Sequence, residues 1–403
     1  MADVLVVPPS TDFEAFNKLV SAQTDHFAAM VTWTGKECSE TDGLTALLSK
    51  LQPYVPEVAQ HFSGKLSQCQ RGMGVITDKV STVNTQLRTQ DEQNAADLQK
   101  IYPDALPGFP DISSLPGGSL VGDFSVENED FKLVQPPDPP DSGIISNLAT
   151  ITGKFNYAAA AESVYKAITG NDLRDQLLKP LLGDWDRLFY LHGAYDTLGD
   201  GCYVVAGTLR KGSWKLGSEW QGVTATAFDS YMFKWTMGIG GIGDAAKVVS
   251  KAYEDGYHAI IELAKAAIAG INALFNLAIN KLIKKVGEML AGDAAIEIVG
   301  LGPEDPLADA AAAAWTAYKG YEIYKVVREI VQGVNDIIDI FENIDDEVEK
   351  IQQTLQQVVA SAASPLDVGS LIDQVEQHGF EFEKDKSWNA EAGSARIALL
   401  PSV

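Results

Sequence analysis

Residues 326–358 read VVREIVQGVNDIIDIFENIDDEVEKIQQTLQQV. Val326, Ile330, Val334, Ile337, Phe341, Ile344, Val348, Ile351, Leu355 and Val358 follow one another at steps of three and four, with no polar residue among them. Only a period near 3.6 returns such side chains to one face, so this is a helix lying along another helix. The stripe predicts one long helix over about Ala308–Ala360 and an all-α fold.

The same pattern extends upstream. Phe13, Phe16, Val20, Phe27 and Met30 share a stripe. After a break around Trp33–Asp42, a second begins with Leu44, Leu47 and Leu51. It continues through Val55, Val58, Phe62, Leu66, Cys69, Met73, Ile76, Val80, Val83 and Leu87. Pro53 and Pro56 must kink or restart that helix. An antiparallel helical hairpin over about residues 11–101 is the simplest arrangement. In the next block Trp185, Leu188, His192, Tyr195, Leu198, Cys202, Val205 and Leu209 form another stripe. A turn is expected over Lys211–Gly222, then a long helical region from Val223 interrupted by the glycines of 238–243.

Between the blocks, residues 103–143 hold eight of the 17 prolines. No helix survives that density, so an extended linker is expected, with a short strand near Leu120–Val126. The domain reading is therefore an N-terminal hairpin at 1–102, a Pro/Gly-rich linker at 103–143 and a helical hairpin domain at 144–306. A long amphipathic helix at 307–364 packs on that domain, and a tail follows at 365–403, with one short helix near Leu366–Gln377.

Composition restricts the partners. The 403 residues carry 31 Lys and Arg against 55 Asp and Glu, a net charge of −24. Phosphate backbones need a basic surface, so nucleic acid is excluded as a partner. Simple electrostatic docking on anionic lipid is disfavoured. Five His and three Cys are too scattered for a metal site, and no cofactor is implied. Cys38, Cys69 and Cys202 leave room for at most one bridge and read as small buried apolar residues. The first residues, Met1–Phe13, lack the basic and apolar regions of a secretory signal. The uncharged stretch Ala266–Asn280 is shorter than a standard membrane span and contains Asn272, Asn276 and Asn280.

Well-marked catalytic motifs are missing: no G-x-S-x-G, H-E-x-x-H or P-loop occurs. Gly238-Ile-Gly240-Gly-Ile-Gly243 has dinucleotide-loop spacing, but helix rather than strand precedes it, so it reads as a bend between helical segments. His192 reads as a satisfied helix-face residue. The acidic run at Glu342, Asp345, Asp346, Glu347 and Glu349 reads as a solvated face. An enzyme built on His378, Glu381, Glu383 and Asp385 would have to fold from the short tail alone.

The motif that stands out is Trp220-Gln-Gly222, set between two helical stretches and continued by Ala225, Ala227 and Phe228. A Trp at a hairpin corner fills the gap between antiparallel helices, and Gly lets the chain reverse. About 0.6 W-x-G matches arise by chance at this composition, and two occur, the second and weaker being Trp33-Thr-Gly35.

With these residues the sequence resembles the WXG-type proteins of actinobacterial type VII (ESX) secretion systems, most closely over Leu177–Trp235. Two hairpins joined by a linker are similar to the fused two-module architecture of EspB-type ESX substrates. The resemblance implies antiparallel helical hairpins, no catalysis, export without a cleaved signal and a secreted or cell-envelope destination. It also implies partners among helical secretion-system proteins or other copies of the chain. The family's Y-x-x-x-D/E export signal finds Leu87 where Tyr is expected before Asp91. Tyr318 and Glu322 have the right spacing but lie far downstream. The alternative reading is a membrane-active or toxin-like effector using the apolar helix at 260–290, which also bears Lys265, Lys281, Lys284 and Lys285.

Overall fold

A computed structural model describes residues 7–101, 132–140, 142–220, 223–298 and 306–361. The fold is all-α, with no strand among the described residues. Helices α1 (Ser10–Lys36) and α2 (Tyr54–Ile101) form the first hairpin. Helices α3 (Ile144–Tyr157), α4 (Ala159–Thr169) and α5 (Leu173–Leu178) are short. Helices α6 (Asp186–Ser218) and α7 (Val223–Leu274) form the second hairpin. A π turn at Phe275–Ile279 carries α7 into α8 (Asn280–Ile298), and α9 (Pro306–Ser361) returns alongside.

The two prolines act as expected. A 3-10 turn at Ala46–Leu51 precedes α2, which begins at Tyr54 with Pro56 in its first turn, where a missing N–H costs nothing. Leu44, Leu48 and Leu51 of this connection are fully buried.

Three expectations at helix ends need correction. Lys211–Gly217 is not a turn: α6 runs on to Ser218, with Glu219 and Trp220 following it. Gly212 and Ser213 sit on its packing face, Gly212 against Leu19 and Ser213 fully buried. The glycines of 238–243 do not interrupt α7 or bend the chain between helices; they lie inside one helix. At Gly243 the small size is what the packing uses, since a β-carbon there would come within 3.1 Å of the Gly199 carbonyl and the Tyr203 ring. The third correction concerns Trp33 and Gly35. They do not stand between helices but in the last turn of α1, where the Glu37 amide donates to the Trp33 carbonyl at 2.7 Å.

The two hairpins lie side by side on one hydrophobic core. Phe62 of α2 meets Tyr195 of α6 edge-on at 5.5 Å, and Gly72 of α2 receives the fully buried Trp235 of α7. The Trp33 indole donates to the Ala194 carbonyl at 3.0 Å. Helix α9 runs antiparallel to α7 and α8, with Ile351 on Gly256, Leu274 on Gly333, and Lys285 paired with Glu322 at 2.6 Å. It also reaches the first hairpin, where Lys50 bridges Asp345 and Glu349.

Residues 132–140 of the expected linker form no regular element, and Pro136 lies against Gly193. The expected strand near Leu120–Val126, the tail with its short helix, and His378, Glu381, Glu383 and Asp385 lie outside the described residues.

Candidate interaction site at the corner of α6 and α7

Trp220 stands where α6 ends, its amide donating to the Gly217 carbonyl at 3.3 Å. Only 3% of it is exposed. Its ring takes the edge of Phe13 at 5.2 Å and lies 5.6 Å from Phe228, one turn into α7. Phe228 in turn meets Phe16 edge-on at 5.4 Å. Four aromatic rings, two from α1, one from α7 and Trp220 just beyond α6, thus close the corner in edge-on and tilted geometries that ring quadrupoles favour. Ala225 is buried beside them, so α7 approaches closely. Gly222 lies outside the described residues.

Polar groups frame this cluster. Arg210 of α6 pairs with Asp229 of α7 at 2.7 Å and lies over the Phe233 ring. Glu219, at the end of α6, shares a hydrogen bond with the nearly buried Asp12 of α1. Burial, the Asp12 hydrogen bond and its charge hold the Glu219 carboxyl above the usual range, with Lys215 opposing. The Trp220 indole N–H is buried with no acceptor, so the ring is held by packing alone.

Trp33 anchors the other end of α1. Beside it the Tyr190 hydroxyl donates to Glu37, which Lys36 also holds at 2.7 Å. Burial is the largest influence on the Tyr190 hydroxyl, which is pushed up to about 12. Trp33 and Trp220 therefore lie at opposite ends of the face that α1 shares with α6, and the structure does not bring them together.

Tyr318 and Glu322 sit on α9, one turn apart, joined by a 2.9 Å hydrogen bond. Tyr318, Tyr321 and Tyr324 are all about half exposed and form an aromatic patch, and Lys325 lies over Tyr321 at 4.5 Å. The sequence marks Tyr318 by its spacing from Glu322 but not Tyr321 or Tyr324, because these tyrosines fall beside the α9 stripe, not on it.

His192 is held by Ser250, whose hydroxyl is 2.9 Å from Nδ1, as its helix-face reading required. The three cysteines are free and fully buried. Burial pushes every thiol up, Cys202 to about 12. Among the described residues no group of acidic, His and Cys side chains is arranged to hold a metal ion. The acidic face of α9 holds lysines instead, as in the 2.7 Å pair of Glu347 with Lys350. No family model matches the chain, and no match to it is found among curated proteins or solved structures.

Proposed function

We propose that the chain is a non-enzymatic substrate or accessory protein of a type VII (ESX) secretion system, acting through helical hairpin surfaces. The observation that carries this reading is the corner itself. A W-x-G sequence joins two long antiparallel helices, and its Trp is buried between them and a neighbouring hairpin. The small Ala225 and the aromatic Phe228 that follow are both buried, with Phe228 beside the Trp220 ring. The pairing of α1–α2 with α6–α7 supports it further, because helical hairpins of this kind recognise partners by laying one hairpin along another. The exposed Tyr318 patch on α9 is then the surface offered to the export machinery, with Glu322 beside it.

The deciding experiment compares the native host with and without its type VII secretion ATPase, assaying the protein in cytosol, envelope and medium. Loss from medium and envelope in the mutant is expected. Unchanged distribution would overturn the reading as an exported substrate. A Tyr318→Ala variant is expected to accumulate in the cytosol while keeping wild-type helicity.

A further inference from the structure

The helix that runs through α7, the π turn and α8 has an uncharged interval, Ala266–Asn280, bracketed by Lys265 and Lys281. Within Tyr231–Met289 an 18-residue window reaches a mean hydropathy of 1.5, yet only 44% of it is buried. The charges of this region stand at the borders of the uncharged interval, at Glu262, Lys265 and Lys281. Ala266, Ala269, Ala273, Asn276 and Leu277 are exposed, Leu277 at 66%.

Clefts open along its outer side. One of about 660 Å³ runs along the seam with α9, with Ala273, Leu277 and Gly333 in its walls, while Leu274 packs on Gly333. A second, of about 420 Å³, lies on the α3 side between Asn276, Asn280 and Tyr157. The π turn sits at both clefts, and such turns mark places where the helical ladder is weakened.

Length decides what would cover this interval. A helix rises about 24 Å from Lys265 to Lys281. Lysine stems reaching outward at both ends extend that toward the roughly 30 Å of a bilayer's hydrocarbon core. A protein partner would impose no such length and no cations at both ends. Lys281, Lys284 and Lys285 gather at one end, although the chain as a whole carries −24. In water Lys281 and Lys285 are engaged by Glu329 and Glu322 of α9, at 3.1 and 2.6 Å. Anionic head groups offer them the same charge.

We propose that the segment Lys265–Lys285 leaves its place against α9 and crosses a lipid bilayer, with Ala273 near mid-depth. Asn272, Asn276 and Asn280 recur at every fourth position, so inserted helices can satisfy these amides by pairing between copies.

The test uses the purified full chain. An Ala273→Cys variant carries an environment-sensitive dye, the buried native thiols remaining unlabelled in the folded protein. It is mixed with vesicles of phosphatidylcholine and phosphatidylglycerol bearing nitroxides either at mid-chain or on the head group. Mid-chain nitroxides are expected to quench the dye several-fold more than head-group nitroxides. A dye at Leu182→Cys, also an exposed leucine, is expected to be quenched by neither. Leu277→Lys, made at an exposed position that leaves the fold intact, is expected to reduce mid-chain quenching at least about tenfold. The proposal is overturned if mid-chain nitroxides do not quench, whether the dye stays in water, lies among head groups or is covered by another copy. Undiminished quenching in Leu277→Lys also overturns it. The proposal goes beyond the export reading and does not rest on it; neither result bears on the ATPase experiment.

Discussion

Trp220 shows how a single side chain closes a corner. Its ring is buried against Phe13 and Phe228, so Trp220→Ala is expected to cost about 3–5 kcal/mol in chemical denaturation. Trp220→Phe is expected to cost much less, because the buried indole N–H gives up no hydrogen bond. A double-mutant cycle of Phe13 with Trp220 should return a coupling of about 0.5–1.5 kcal/mol, and strict additivity would mean that the rings do not interact. Glu219 works in the opposite direction. Its folded carboxyl is held above the ordinary range by burial and Asp12, so its ionisation opposes folding at neutral pH. That opposition is fully present above the raised pKa and fades as pH falls toward the ordinary carboxylate range. Glu219→Gln is therefore expected to raise the Tm at pH 7 by more than at pH 4; an equal shift at both would refute the carboxyl pair. Trp220 and Phe228 were legible from sequence because a W-x-G between helical stripes has few structural solutions. The Asp12–Glu219 pair was not, since nothing in the spacing brings the start of α1 to the end of α6.

The long helices were legible, because their stripes alternate threes and fours over long runs, whereas α3, α4 and α5 are too short to show such a stripe. The errors all concern glycine. Gly and Ser at 211–217 and the glycines of 238–243 are turn formers by local preference, and in a short peptide they would end a helix. Here packing overrides preference, because a position without a β-carbon lets a neighbouring element approach. Helix α2 offers a direct comparison. Gly64 is exposed, with no neighbouring group within 4 Å of the space its β-carbon would fill, whereas a β-carbon on Gly72 would overlap the Trp235 indole. Gly64→Ala is expected to raise stability by up to about 1 kcal/mol through helix propensity. Gly72→Ala gains the same propensity but forces Trp235 aside, and a net loss of about 1–2 kcal/mol is expected. Thermal unfolding followed by circular dichroism checks both signs, and a stabilised Gly72→Ala would show that α2 and α7 are less closely packed than described.

On the scale of the whole molecule, the sequence marked two hairpins but left open whether they touch. Stripes reveal which face of a helix is buried and not which helix buries it. The answer lies in contacts between residues far apart in the chain, such as Trp33 with Ala194, Phe62 with Tyr195 and Lys50 with Asp345. One shared core makes the hairpins thermodynamically dependent on each other. Calorimetry is expected to show one dominant transition for the described helices, and two well-separated transitions of similar enthalpy would contradict a shared core. The continuous run from Val223 through the π turn to Ile298 has a mechanical consequence as well. At 1.5 Å per residue its contour is about 110 Å, so a tilt of about 2° at the Trp220 corner sweeps the far end through about 4 Å. The corner is a fulcrum and the run a lever. The π turn, about two-thirds of the way along, divides that lever into a longer arm toward the corner and a shorter one beyond it.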